Sequence, residues 1–294
     1  MSPDDALVIC RILQDVSSVL LWGTYAYLST LVPSTLVGTI GRRLTSFRLA
    51  GIFIAAGTTF AVLPFEASSL GDGWGSAGDF TTMQDIALDT SIGNAWLVQA
   101  IAVIALVLTI WLAPRRQQAS TALCAGLLLG CRALMGHSIM GEGAAGILLQ
   151  LSYLVHVLTA GAWLGALVPL VLILQQLGRK THGPDAAAGL ERFSTAGQVM
   201  VVLAVCTGVV NTGLILGRLP LAWSQPYQLL LAAKICMVSG MIGIALINRF
   251  VIVPRIKSGF QPAAPLLLYT ASLELVLGGG ALVLVNLFGS LEPV

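Results

Sequence analysis

Eight apolar stretches, each long enough to cross a lipid bilayer, constrain this chain more than anything else in it. They cover roughly 6–32, 47–66, 94–113, 120–140, 147–177, 193–217, 227–252 and 265–289 of the 294 residues. A crossing helix needs about 20 mostly apolar residues. Only helices and closed barrels satisfy every backbone group in lipid, and runs of this length are helical rather than strand-like. The composition agrees: 56% of residues are hydrophobic and 10% charged, against about 25% charged in a soluble domain. The expectation is an all-α, polytopic membrane helix bundle of about eight transmembrane helices. It forms a single integral membrane domain over 1–294, with the lipid bilayer as its solvent and no part suited to nucleic acid.

The connections between the stretches alternate in charge. One set carries Arg42, Arg43, Arg48, Arg115, Arg116, Arg179, Lys180, Arg192, Arg249, Arg255 and Lys257. The other carries Arg218 as its one basic residue, and with it Asp4, Asp5, Glu66, Asp72, Asp79, Asp85, Asp89, Glu142 and Glu292. Basic connections stay in the cytoplasm. Both termini, the long 67–93 connection, the 141–146 turn and the 218–226 connection are then expected outside. The opening MSPDD is acidic where a secretory signal is basic, so no cleaved signal is read. The five cysteines all lie inside apolar stretches without CxxC spacing and read as buried packing residues. The 67–93 connection, Gly-rich and acidic, reads either as a solvated connector or as a vestibule that concentrates cations. Met83, Asp85 and Asp89 there give a weak metal signal.

Short echoes suggest internal duplication. Asp15 precedes Trp22 by seven residues in the first stretch, as His156 precedes Trp163 in the fifth, and Gly23 and Gly165 follow. The third and seventh stretches open on TSIGNAWLVQA and SQPYQLLLAAK, which aligns Gln99 with Lys234. A parallel 4+4 repeat would produce this pattern.

Ionisable side chains in a bilayer are costly and mark partners or cavities. Arg11 and Asp15, four apart, share a helix face and are expected to pair. With Arg132, Lys234 and Glu274 they form a set of structural or coupling charges. Given the orientation, Arg11, Asp15, His137, His156, Asn211 and Lys234 all fall in the outer half, which points to one hydrated, outward-facing cavity of the kind helix bundles use for ligands. Two of the three histidines, His137 and His156, sit on neighbouring stretches joined by a short turn that also holds Met140 and Glu142. Met237 and Met241 share a face with Lys234 and Asn248, as a packing stripe or as soft ligands. His182, among charges in GRKTHGPD, reads as solvated.

Imidazole suits copper, zinc, iron and nickel, and thioether selects Cu(I) among them. The histidine pair with nearby methionines therefore favours copper. The alternative binding of neutral imidazoles between carbonyls stays open, as does a b-type haem held by the same two histidines with Trp22, Tyr153 and Trp163 against its ring. A haem redox or tetrapyrrole protein would be expected to carry a second centre toward the inner side, and no second histidine pair exists in the stretches. A non-transporting copper scaffold or sensor would use the same outer site without an inward path. No GxxxxGK[ST] phosphate loop is present to supply energy.

Several segments in order carry a family resemblance: Gly136-His137, His156 followed by AGAWLGAL at 160–167, Arg192-Phe193-Ser194, Thr207-Gly208, Tyr227 with Lys234, Asn248-Arg249-Phe250, and Glu274 with Gly278. On these the chain resembles the bacterial copper resistance protein D family of inner-membrane proteins, most firmly over 130–290. Ala166 stands where a second glycine is common, and Gln228 where glycine often follows the tyrosine. The resemblance implies copper movement across the bacterial inner membrane, most often discussed as entry from the periplasm, and a separate periplasmic copper-binding protein as partner. On that footing His137 and His156, with Met140 or Glu142 at the rim, would bind copper, as Cu(I) or Cu(II). Met237, Met241 and Asn211 would line a secondary pathway.

Overall fold

The computed structural model describes residues 1–71, 73–112, 114–135, 143–177, 183–217, 225–257, 263–289 and 291. His137, Met140, Glu142 and His182 lie outside the described residues. The elements are α1 (Pro3–Thr30), α2 (Ser34–Arg43), α3 (Thr45–Leu70), α4 (Phe80–Asp89), α5 (Ser91–Leu108), α6 (Pro114–Gly130), α7 (Gly143–Leu174), α8 (Gly183–Leu216), α9 (Pro226–Ile247), α10 (Val253–Lys257) and α11 (Ala263–Phe288). Among the described residues seven helices are long and apolar enough to cross a membrane: α1, α3, α5, α7, α8, α9 and α11, some with short extensions. The eighth expected stretch, 120–140, corresponds to α6. This helix has 17 residues and runs on into a 3-10 turn at Cys131–Leu134. It opens on the polar run PRRQQ, and at about 1.5 Å and 2.0 Å per residue the apolar part from Ala119 to Leu134 extends about 26 Å, short of a hydrocarbon core of about 30 Å.

Local chemistry accounts for where the helices begin. Ser2 caps α1: its hydroxyl accepts from the Asp5 N–H at 3.1 Å, and the Asp5 carboxylate accepts from the Ser2 N–H at 2.9 Å. With Pro3 in the first turn this is a capping box. The connection after α1 is not bare loop. In α2, Leu36 and Ile40, four apart, are fully buried, while Arg42 and Arg43 close the helix. The 67–93 connection is also more ordered than a solvated linker. It holds the last turn of α3, a 3-10 turn at Trp74–Gly78, and α4, capped by the Asp79 carboxylate accepting from the Thr81 N–H at 3.0 Å. Hydrogen bonds from the Thr82 hydroxyl and nearby backbone hold the Asp79 carboxyl below its ordinary range.

Two helices form the centre. The α1 helix packs against α3, α6, α7 and α11, and α7 against α1, α8 and α11. One apolar cluster gathers Leu21, Tyr25 and Leu28 of α1 with α2, α3, α5 and α6; a second gathers Trp163, Leu167 and Leu170 of α7 with α8, α9 and α11. The two central helices meet at glycine. A Cβ on Gly165 would lie 2.6 Å from the Val19 carbonyl oxygen and 2.7 Å from the Gly23 Cα, so the backbones touch and no larger residue fits. Thr24 Oγ1 donates to the Gly165 carbonyl at 3.0 Å and Trp22 Nε1 to the Leu158 carbonyl at 2.8 Å, which fixes the crossing.

Candidate functional site

With α6 counted among them, consecutive membrane helices run in opposite senses, and their ends meet in one cavity accordingly. One end of the bundle therefore collects the N-terminal parts of α1, α5, α7 and α9 and the C-terminal parts of α3, α8 and α11. That end holds a cavity of about 330 Å³, whose lining includes Arg11, Glu66, Arg132, His156, Asn211 and Lys234. The bundle thus brings together four of the six polar residues expected in one outer cavity: Arg11, His156, Asn211 and Lys234. Asp15 lies behind the wall on Arg132, and His137 is outside the described residues.

The charges pair differently from the sequence expectation. Arg11 and Asp15 do not pair. Arg11 Nη2 meets Glu66 Oε1 of α3 at 2.7 Å. Asp15, 7% exposed, is held from two sides: Arg132 gives Nε to Oδ1 at 2.9 Å and Nη2 to Oδ2 at 3.1 Å, and Asn286 Nδ2 gives a third bond to Oδ2 at 2.9 Å. The paired hydrogen bonds from a planar guanidinium are the stronger arrangement, and they take the carboxylate that Arg11 would otherwise use. Arg132 and Glu274 do not meet either; Glu274 accepts from Asn248 Nδ2 at 2.7 Å near the other end of the bundle.

His156 carries the site's chemistry. Its Nδ1 lies 2.8 Å from the Ala204 carbonyl oxygen. A carbonyl only accepts, so Nδ1 holds a proton, and in the neutral imidazole the lone pair is then on Nε2. Fixing one ring nitrogen on a carbonyl in this way is how proteins orient a metal-binding imidazole. Gly208 makes room for the ring: a Cβ there would come within 3.2 Å of His156 Cε1. Just beyond Gly208 on α8, the Asn211 side-chain oxygen is buried and has no hydrogen-bond partner among the described residues. Met135 also lines the cavity, its sulfur accepting from Gln99 Nε2 at 3.2 Å, and Gln14 Nε2 ties Gln99 Oε1 to α1 at 3.0 Å. Sequence reasoning passed over Met135, Asn286 and the Gln14–Gln99 pair. Met135 stands two residues before His137, which was the available signal.

Lys234 sits with its Nζ 5.8 Å from the Phe288 ring centroid, and among the described residues no carboxylate lies within 4.0 Å of it. Met241 is 3% exposed in the α7–α9–α11 core, and Met237 packs its sulfur toward Gly280. Neither lines this cavity. Of the aromatics assigned to a haem ring, Tyr153 alone shares the cavity with His156; Trp163 lines a cavity at the other end. Among the described residues no three His, Cys, Asp or Glu side chains cluster as a metal site.

Comparison with known proteins decides the family. Residues 1–147 match the copper resistance protein D-like N-terminal domain, and residues 187–288 match copper resistance protein D. The chain belongs to the copper resistance protein D family. It is 29% identical over 287 residues to the inner membrane protein YebZ of Escherichia coli, covering 97% of this chain and 98% of that one. It is 29% identical over 263 residues to copper resistance protein D of Pseudomonas syringae pv. tomato, covering 85% and 83%. A third relative, the copper transport protein CutJ of Bacillus subtilis, is 28% identical over 174 residues, 55% of this chain and 31% of that one. No solved structure matches. With its seven apolar helices the family member is a multi-pass inner-membrane protein.

Proposed function

We propose that this protein takes copper from the periplasmic side into the cavity at His156 and passes it across the inner membrane. The observation that carries the reading is the imidazole of His156. It is half-buried in the bilayer zone, oriented through Nδ1 on the Ala204 carbonyl, and lines a cavity that Met135 also lines, so that in the neutral ring Nε2 is the nitrogen left for a metal. Nitrogen with thioether is a donor set for Cu(I). His137 follows Met135 by two residues, a tether of at most about 7 Å, so it is the natural second ligand, with Met140 or Glu142 at the rim. The names of the relatives point to the same metal. Both termini and the cavity belong on the periplasmic side in this reading, because the basic residues Arg42, Arg43, Arg192 and Arg249 gather at the opposite end. Along α9, Met237 and Met241 lie between Lys234 of this cavity and Ile242 of the cavity at the far end, and they serve as a soft relay. A separate periplasmic copper-binding protein would deliver the metal.

Copper uptake into proteoliposomes tests the reading. His156→Ala and His137→Ala should each abolish uptake while the protein still elutes as a folded species. Met237→Leu with Met241→Leu should slow uptake and leave binding intact. Uptake at the parental rate by both histidine variants would sink the proposal.

A further inference from the structure

The far end of the bundle holds a second cavity of about 200 Å³, enclosed by α7, α8, α9 and α11. Its walls are largely apolar, with Trp163, Leu167 and Leu170 from α7, yet Glu274 lies in it, 2% exposed. Asn248 Nδ2 donates to Glu274 Oε1 at 2.7 Å, and Thr270 Oγ1 donates to Asn248 Oδ1 at 2.7 Å. Among the described residues no Lys, Arg or His nitrogen comes within 4.0 Å of this carboxyl. The cavity's other charged side chain among those described is Arg249. It is turned to α8, donating Nη1 to Ser194 Oγ at 2.6 Å. From α8 come Ser194 and Gln198, from α10 Val253, and from α7 no titratable group.

A carboxyl so enclosed has two charge states of very different cost. Ionised, it needs a counter-charge or water; as the acid, it is satisfied by one or two hydrogen bonds. The surroundings can yield to such a change. Asn248 opens a π-helical turn, Asn248–Ile252, that interrupts the α9–α10 helix, and wide turns of this kind recur at functional sites. The α8 helix packs on α7 and α9 packs on α11, while α8 and α9 scarcely touch each other. The wall between them is held by side chains such as Arg249 and Ser194 rather than by a helix–helix seam.

We infer that Glu274 is a proton-binding site that gates the cytoplasmic end of the copper path. As the acid it keeps the Asn248 bond and the inner cavity closed. Loss of its proton to the cytoplasm leaves a charge that draws water in between α8 and α9 and opens the exit. This inference rests on the translocation reading above, and on Glu274 in a way that can be tested apart from copper.

Two measurements on the full-length protein decide it. Infrared difference spectra of the copper-free protein between acid and mildly alkaline buffer should show a carboxylic C=O band that disappears with pH and is missing in Glu274→Gln. A difference spectrum identical in the two proteins overturns the assignment. Copper uptake is then followed in proteoliposomes at fixed external pH with internal pH stepped upward. The parent should speed up severalfold. Glu274→Gln, locked as the neutral form, should be slow at every internal pH while loading copper at the outer cavity like the parent. Glu274→Asp, which keeps a carboxyl, should retain the pH response and guards against a folding defect in the glutamine variant. A parent that moves copper with no dependence on internal pH overturns the gate alone. A parent that moves no copper at any internal pH overturns the translocation reading and the gate with it, while the infrared band still reports the proton site.

Discussion

Lys234 poses the sharpest test of where copper sits, because its charge opposes the metal. It lines the His156 cavity, and its ammonium has an aromatic ring beside it but no carboxylate within 4.0 Å among the described residues. The other two cavity-facing cations are neutralised, Arg11 by Glu66 and Arg132 by Asp15. A roughly spherical space of about 330 Å³ is about 9 Å across. Two unit charges about 9 Å apart repel by about 2 kcal/mol at an effective dielectric constant near 20, a factor of roughly 20 in affinity. Lys234→Leu keeps the bulk and removes the charge. Titrated with Cu(I) against a competing chelator in detergent, it should bind roughly 20-fold more tightly than the parent. It should also release copper more slowly, so that transport does not improve with affinity; a conducting site must let its ion leave. Unchanged or weaker binding in Lys234→Leu would refute the reasoning, since copper would then sit beyond the reach of this charge.

Other predictions concern the frame that holds the cavity. Asp15→Asn strips the Arg132 guanidinium of its counter-charge and should lower stability by about 3 kcal/mol, read as a lower denaturation midpoint. The double change Asp15→Leu with Arg132→Met should recover much of that loss, because no unpaired charge remains. Gly165→Ala, whose Cβ would press on the Val19 carbonyl at 2.6 Å, should force α1 and α7 apart and lower the thermal midpoint by several degrees. Gly57→Ala, with open space around its Cβ, is the matched control and should leave the midpoint where it is or raise it.

The helices were legible in the sequence because each crossing needs its own apolar run, and the bilayer imposes that rule stretch by stretch. The shallow elements α2 and α4 were not legible. Each is ten residues long and buries one pair, Leu36 with Ile40 and Ile86 with Ala87, which leaves no long pattern. The clustering of polar groups at one end followed from counting depth along alternating helices. Their pairing did not. Spacing of four residues places Arg11 and Asp15 on one face of α1, but the neighbours that win them, Glu66, Arg132 and Asn286, lie 55, 117 and 271 residues away in the chain. Partners at such separations are set by helix packing, which one sequence does not display. The tautomer of His156 likewise depends on a carbonyl of α8. The Nδ1 contact, on which the copper reading turns, became visible once α7 and α8 were seen side by side.

X-ray absorption of the copper-loaded protein, parent beside His156→Ala, tests the central claim most directly. The account predicts imidazole nitrogen and sulfur around Cu(I) in the parent, with the imidazole signal reduced and copper content falling well below stoichiometry in the variant. An identical copper content and an identical coordination shell in His156→Ala would contradict it and remove the metal from this cavity.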